Sequence, residues 1–367
     1  MPPRHRPSAW RLTAAQLAVV AAAVAVALGP RPAALVERLY AARAYPLLQS
    51  VVTQLSNAAP FALFDVLLVV AVVGGIAVWG GALRRARRTR SGWPLAAAAR
   101  MSVVAGAAGY LWFVALWGLN YARPPVDLRL GLPAGAASAV EVAALLDRAV
   151  RGANDDHAAA HAAGFPGPAD VPSDLVDALG RVERADGRPA TTAVGRPKPT
   201  LLGLYFRMAG VDGLTAPFAL ETLLNPDLTG PERPFVLAHE WAHLAGYAPE
   251  ADANFVAWRV TQAAGVAARY SSWLFLVSET AAQVPRDERR GHLERLNAGP
   301  RRDLDAIARR ASQRVDLVER VGWRVYDGYL RSQGVPDGVR SYSRVIDLIA
   351  RVERGAPAEG LRRPVPQ

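Results

Sequence analysis

The sequence predicts a mainly α-helical protein in which three N-terminal transmembrane helices are followed by a mostly helical domain. The chain of 367 residues is 51% hydrophobic and only 20% charged, and its mean hydropathy is +0.09. Such a composition argues against a disordered chain and indicates membrane content. The chain has no cysteine, which excludes a disulfide framework, a Cys-based zinc or iron–sulfur site and a thiol nucleophile.

The predicted transmembrane helices coincide with runs that carry no charge. A hydrocarbon core of roughly 30 Å needs about 20 apolar residues in a helix. The uncharged runs that meet this requirement are 12–30, 66–83 and 101–122. A membrane domain is therefore expected over residues 1–122, with its helices at about 12–30, 62–83 and 101–121. The first helix also has the features of a signal peptide, but residues 29–32 are a poor cleavage site, so a retained anchor is favoured.

The formal net charge of +11 lies almost entirely in this membrane domain. Residues 1–120 carry +10 and the remainder +1, so the charge does not indicate a nucleic-acid partner, and membrane lipid is the expected one. Nine arginines lie before the first helix or between the second and third, against three between the first and second. By the positive-inside rule, the protein is expected to be multi-pass in the cytoplasmic membrane, with a cytoplasmic N-terminus and an extracytoplasmic C-terminal domain.

The rest of the chain divides into a helical and loop linker region at 123–200 and a domain at 201–367. In the linker, Ser138 and Glu141 form a capping-box pattern that begins a helix ending near residue 163. The other elements expected after the membrane domain are a helix at about 173–184, an extended segment at 215–224, and helices at about 299–331 and 341–354.

The most informative segment is His239-Glu240-Trp-Ala-His243, on a predicted helix that ends at Gly246. The two histidines are four residues apart and share one helix face, so both imidazoles can bind one zinc ion at about 2.0–2.1 Å. Glu240 is rotated by about 100° around the helix axis, so it can reach a metal-bound water as a general base without being a ligand. The predicted cofactor is Zn²⁺, and the predicted catalytic residue is Glu240.

A third metal ligand is expected shortly after this helix. Glu250, in the first turn of a second helix that folds back on the first, is the preferred candidate. The predicted metal ligands are therefore His239, His243 and Glu250. Asp252 is the competing third ligand, and Glu221 is a weaker one.

Five other side chains could contribute to a site. Asn254 lies four residues after the preferred third ligand and could bind the second ring nitrogen of a histidine. His157 and His161 are also four apart, but they lack an adjacent glutamate and lie in an alanine-rich, mostly polar helix. They are interpreted as solvated surface residues. Tyr270 and Tyr342 are candidates for stabilising a developing oxyanion.

The order of these motifs resembles that of a known family. The segments that carry the resemblance include Gly118-Leu-Asn-Tyr-Ala-Arg-Pro124, the His239–Gly246 segment, and Glu250-Ala-Asp-Ala-Asn-Phe255. The chain is similar to the bacterial membrane proteins grouped as domain of unknown function 3810, most strongly over 217–272. The resemblance implies a mostly helical, zincin-like metallopeptidase domain. The helix-then-Glu layout is also similar to that of gluzincin peptidases, although an asparagine stands at position 254 and the gap from His243 to Glu250 is short.

Two functional hypotheses follow from the sequence. The favoured one is a membrane-anchored zinc metallopeptidase that hydrolyses a peptide or protein substrate with Glu240 as general base. The alternative is a catalytically silent membrane or envelope scaffold with a structural or vestigial metal site. The retained Glu240 favours the enzyme, because a structural site does not need a carboxylate beside its first ligand. Charged residues on both sides of the motif argue against its lying inside a membrane span.

Overall fold

The computed structural model describes residues 13–188, 192–332 and 344–355. Helices dominate, as the sequence predicts, and the strands of the described part form one short hairpin. The first part of the chain contains α1 Ala14–Leu28, α2 Ala33–Leu35, a π-helical segment Val36–Ala44, α3 Tyr45–Ala58, α4 Leu63–Thr89, α5 Trp93–Leu116 and a 3₁₀ turn Gly118–Ala122. The second part contains α6 Val126–Arg129, α7 Ala139–Ala163, α8 Ser173–Ala185, α9 Gly203–Ala209, β1 Gly213–Ala216, β2 Glu221–Leu224, a 3₁₀ turn Gly230–Glu232, α10 Arg233–Leu244, α11 Glu250–Ala263, α12 Val266–Gln283, α13 Arg286–Leu293, α14 Ala298–Ala311, α15 Asp316–Ser332 and α16 Arg344–Gly355.

Two helices, α4 and α5, are long and apolar enough to cross a membrane. Their most apolar windows have mean hydropathies of 2.4 and 1.4, and only 6% and 17% of the residues in these windows are buried, which leaves their surfaces free for lipid. The 15 residues of α1 rise only about 22 Å, and a bend of 115° separates α1 from the helical segment Ala33–Ala58. The described part of the chain therefore has two helices that could span a membrane, or three if the bent pair counts as one span.

Helix α3 has its polar side facing the protein and its apolar side exposed. Gln49, Thr53 and Ser56 are buried, and all three form hydrogen bonds to residues of the second part of the chain. The exposed large side chains of this helix are Leu47, Leu48, Val51 and Leu55. A helix with this distribution suits a position between a folded domain and lipid, rather than one between a core and water.

One hydrophobic core joins most of the second part of the chain. Helix α12 packs along α7, and α11 packs on α10 in a layer beside them. Leu145 of α7 and Leu175 of α8 share this core with Trp241 of α10 and Val256 of α11. The hairpin packs on α10, with β1 and β2 antiparallel and Thr215 opposite Thr222. The helices of the predicted linker region thus belong to the same packed unit as the helix that carries the His-Glu-x-x-His sequence.

Two of the expected elements differ in the structure. The single helix expected at 299–331 is two helices, because the chain turns after α14 and the Val315 N–H donates to the Met208 carbonyl. Asp316 and Glu319 then lie in the first turn of α15, where carboxylates favour a helix start. The segment expected to be extended at 215–224 is part of a hairpin. Strand β1 ends at Ala216, and strand β2 begins at Glu221. The last expected helix is present as α16, although residues 341–343 lie outside the described ranges.

Candidate metal centre

Helix α10 begins and ends at residues suited to those positions. Before it, Thr229 and Glu232 form a capping box, and Pro234 lies in the first turn, where its missing N–H has no cost. After it, Gly246 has φ +82°, a left-handed conformation that favours glycine. A Cβ at position 246 would also lie only 2.8 Å from side-chain atoms of Arg123 and Asn120. The short turn that follows α10 and leads into α11 depends on this glycine.

This turn brings His239 and His243 of α10 next to Glu250 in the first turn of α11. Oε2 of Glu250 lies 3.1 Å from Nε2 of His239 and 3.5 Å from Nε2 of His243. Tetrahedral zinc with bonds of about 2.0–2.1 Å has neighbouring ligand atoms about 3.3 Å apart. The three side chains therefore fit one zinc ion, and they form one of two groups in the described residues that could hold a metal.

His243 and Glu250 are buried, His239 is partly buried, and the charges of the three side chains act on one another. Burial alone would raise the pKa of Glu250, but the charges and hydrogen bonds of His243 and His239 lower this pKa well below its ordinary value. Burial likewise opposes protonation of His243, yet the charge of Glu250 raises the pKa of His243 to about 9. A carboxylate shared by two imidazoles, one buried and one partly buried, is a donor set that could bind a divalent cation.

The second ring nitrogens of the two histidines have different surroundings. Nδ1 of His243 lies 2.8 Å from the Tyr247 carbonyl, and the ring of Trp117 packs edge-to-face on the His243 imidazole at 5.8 Å. These contacts fix the ring with Nε2 towards Glu250. Nδ1 of His239 is buried and has no hydrogen-bond partner in the described part of the chain. The expected role of Asn254 is thus filled for His243 by a backbone carbonyl.

Glu240 lies beside the three predicted ligands and is held from the neighbouring strand. Its side chain is buried, and Oε2 accepts a hydrogen bond from Oγ1 of Thr215 at 2.8 Å. A Cβ at position 213 of β1 would lie 2.5 Å from Oε1 of Glu240, so only glycine leaves room for this carboxylate. Burial raises the pKa of Glu240, although the neighbouring His239 and His243 act in the opposite direction.

The other predicted ligand candidates bind elsewhere. Oδ2 of Asp252 accepts the Val126 N–H at 3.1 Å, and Asp252 is not among the three grouped ligands. Glu221 forms a buried ion pair with Lys198 at 2.7 Å. Neither carboxylate joins the two histidines in the described structure.

The two tyrosines considered for an oxyanion have different outcomes. Tyr270 donates its hydroxyl to Oδ2 of Asp303 at 2.6 Å, so this hydroxyl is engaged away from the His239 group. Tyr342 lies outside the described residues. His157 and His161, interpreted from sequence as solvated surface residues, are partly buried and exposed, respectively, and they lie beside Asp303, which sequence spacing could not associate with them.

The candidate metal centre lies directly against the membrane-associated helices. Tyr45 at the start of α3 donates its hydroxyl to the Leu244 carbonyl at 2.9 Å. Arg123 follows α5, donates to the Gly246 carbonyl at 3.0 Å, and pairs with Glu37 at 2.8 Å. These contacts tie the end of α10 to chain segments on both sides of the α4–α5 pair.

Together, these features define a mainly helical protein whose described residues include two or three helices apolar enough to span a membrane and a His-His-Glu group that could hold a metal ion. The family described as "Protein of unknown function (DUF3810)" matches residues 40–350, and the chain belongs to this family. This match confirms the resemblance expected from the motifs. No curated protein and no solved structure matches the chain.

Proposed function

We propose that the protein is a membrane-anchored, zinc-dependent metallopeptidase. The observation that carries this proposal is the convergence of His239, His243 and Glu250 beside the buried, separately held Glu240. Three protein ligands leave one coordination position open, as in catalytic zinc sites, whereas structural sites use four. The His239 side chain is 15% exposed, so the group can be reached from solvent.

The residues of the centre have distinct roles in this proposal. His239, His243 and Glu250 would hold the ion, and a zinc ion held there supplies a Lewis acid that lowers the pKa of a bound water to about 7. Glu240 would accept a proton from this water at Oε1, because Oε2 already accepts a hydrogen bond from the Thr215 hydroxyl. It would then return this proton to the leaving amine of the cleaved peptide. Thr215 would orient the carboxylate and keep it from binding the metal.

The hairpin supports a peptide as the substrate. In the described structure, β1 pairs with β2 on one side and has no strand on the other. An extended peptide can add to such an edge through main-chain hydrogen bonds. Because Gly213 and Thr215 of β1 contact Glu240, a peptide bound along this edge would lie close to the proposed base. A scaffold without catalytic activity would have no evident use for a free strand edge beside this carboxylate.

Metal analysis tests the assignment of the centre. Full-length protein, purified in detergent with a tag that contains no histidine, is expected to lose about one zinc ion per chain in His243→Ala. The matched control is His292→Ala, because His292 pairs with Asp147 at 2.6 Å and belongs to neither metal group. Equal zinc content in wild type and His243→Ala would refute the site. Chelation is expected to stop cleavage of a peptide library read by mass spectrometry, and added zinc to restore it.

The proposal places the packed unit that carries the centre outside the cytoplasm. The nine arginines before α1 and at positions 84–100, where the end of α4 meets the start of α5, support this orientation by the positive-inside rule. A phosphatase reporter that is active only outside is expected to be inactive when fused after Arg90 and active when fused after Pro125. An active reporter at the first position would contradict the orientation without affecting the metal assignment.

A further inference from the structure

We propose that His157, His161 and Asp303 form a second site for a divalent transition metal, best matched by zinc. The two histidines lie one turn apart near the end of α7, and Asp303 lies on α14, more than 140 residues later. Oδ2 of Asp303 lies 2.8 Å from Nε2 of His161 and 3.8 Å from Nε2 of His157. These distances lie on either side of the roughly 3.3 Å that separates neighbouring ligands of tetrahedral zinc.

The side chains of this site are held in place by their neighbours, which unrelated surface groups would not be. A Cβ at position 299 would lie 2.4 Å from the His157 ring, so the ring occupies space that only a glycine provides. The His161 ring packs edge-to-face on Phe165 at 5.1 Å, and the His157 ring packs on Tyr270 at 5.7 Å. Both imidazoles are thus oriented by neighbours that are not themselves ligands.

Tyr270 supplies the kind of outer contact that metal-binding carboxylates commonly have. Its side chain is fully buried, and its hydroxyl donates to Oδ2 of Asp303 at 2.6 Å. A hydrogen bond of this kind orients a ligating carboxylate and favours its charged form. Tyr270, considered from sequence as an oxyanion donor, is here a positioning residue for the second group.

The position of this group suggests what a bound metal would do. Helix α14 fully buries only Gly299 and Pro300, and its Leu304 and Ile307 pack on the core as partly buried side chains. A metal shared by α7 and α14 would fix α14 in place. Two turns after Asp303, Arg310 of α14 binds Glu232 and Asp212, and the Glu232 carboxylate accepts the Thr229 N–H in the turn that leads into α10. The second metal would therefore support the helix that carries the candidate metal centre, while the exposed His161 leaves the ion exchangeable.

Zinc binding by variants that keep only one of the two metal sites tests this site independently of peptidase activity. In a His243→Ala background, the full-length protein in detergent is expected to retain about one zinc ion per chain after equilibrium dialysis. Adding His161→Ala or Asp303→Asn is expected to remove it, whereas adding His292→Ala is not. Added Zn²⁺ is expected to raise the melting temperature of the His243→Ala protein but not that of the two double variants.

The possible outcomes distinguish this site from the centre on α10. If His161→Ala and Asp303→Asn each bind as much zinc as their parent, the second site is refuted, whatever happens at His243. If zinc is lost in these variants but not in His243→Ala, the second site stands and the proposed peptidase centre fails. Asp303→Asn keeps the size of the side chain and an acceptor for Tyr270, so it tests binding even if a histidine variant folds poorly.

Discussion

Glu240→Gln is expected to lower the rate of peptide hydrolysis by about 10²–10⁴-fold, the range for losing a general acid–base group. Glutamine has nearly the same size and can still accept the Thr215 hydrogen bond, but it cannot take a proton. The three predicted ligands are unchanged, so the zinc content of the variant is expected to equal that of wild type. Cleavage of a peptide library and zinc content, measured on the same preparation, check both parts.

Gly213→Ala provides a second change at the same carboxylate without altering its chemistry. The added Cβ would lie 2.5 Å from Oε1 of Glu240, so the carboxylate must shift, and activity is expected to fall with the metal retained. The matched control is Gly291→Ala, because a Cβ there meets nothing within 4 Å.

If Glu240→Gln binds zinc and cleaves peptides as wild type does, Glu240 is not the base. Bound zinc with no cleavage by wild-type protein would favour the scaffold alternative.

The helix that carries the candidate metal centre could be predicted because its signals are local. The spacing of His239 and His243 sets their shared face, and Gly246 predicts the turn that returns the chain towards them. Glu250 then lies close to both imidazoles because only a few residues separate it from the end of α10. Each step depends on helix geometry over about ten residues, which sequence patterns describe well.

Contacts between distant segments could not be predicted in the same way. Asp303 is 142 residues from His161, and nothing in the local pattern of α14 indicates that the two meet. The surface interpretation of His157 and His161 therefore missed both their partner and the role of Gly299. Glu221 is a candidate ligand for a similar reason, since the sequence does not show which positively charged group lies next to its carboxylate.

The outward apolar face of α3 is a third feature that the sequence left open. Its polar and apolar residues recur with the period of a helix. This pattern fits either a helix in a soluble protein or a helix that faces the membrane. The structure shows which face points inward, because Gln49, Thr53 and Ser56 all bind the packed unit and the leucines are exposed. Periodicity locates the two faces of a helix but not the medium on each side.

Glu221→Gln is expected to cause the largest loss of stability among single polar substitutions in the described structure. The Glu221 and Lys198 side chains are 0% and 1% exposed, and their charged atoms are 2.7 Å apart. Oε1 of Glu221 also accepts the Leu63 N–H, and Oε2 accepts the Phe64 N–H, at the first two residues of α4. This one carboxylate therefore neutralises a buried lysine and accepts N–H groups at the start of α4, a helix apolar enough to span a membrane.

Removing one partner of a buried ion pair typically costs about 3–5 kcal/mol, because the other charge stays buried without compensation. In Glu221→Gln the Lys198 ammonium loses its charged partner and keeps only uncharged acceptors, which are the carbonyl and hydroxyl of Ser56 and the amide oxygen of the glutamine. A marked fall in the melting temperature of the detergent-solubilised protein is expected. Its zinc content is expected to stay at the wild-type value, because Glu221 is separate from the His239 group. Lost zinc in a still-folded variant would instead make Glu221 a ligand.

The partner substitution, Lys198→Met, is expected to cost less. Without the lysine, the Glu221 carboxylate still accepts from Ser56 Oγ and from the Leu63 and Phe64 N–H groups. In the double variant neither charge remains, so its loss of stability is expected to be smaller than the sum of the two single losses. Additive losses would show that the two charges act independently, and a melting temperature of Glu221→Gln equal to that of wild type would show that neither the pair nor the cap stabilises the fold.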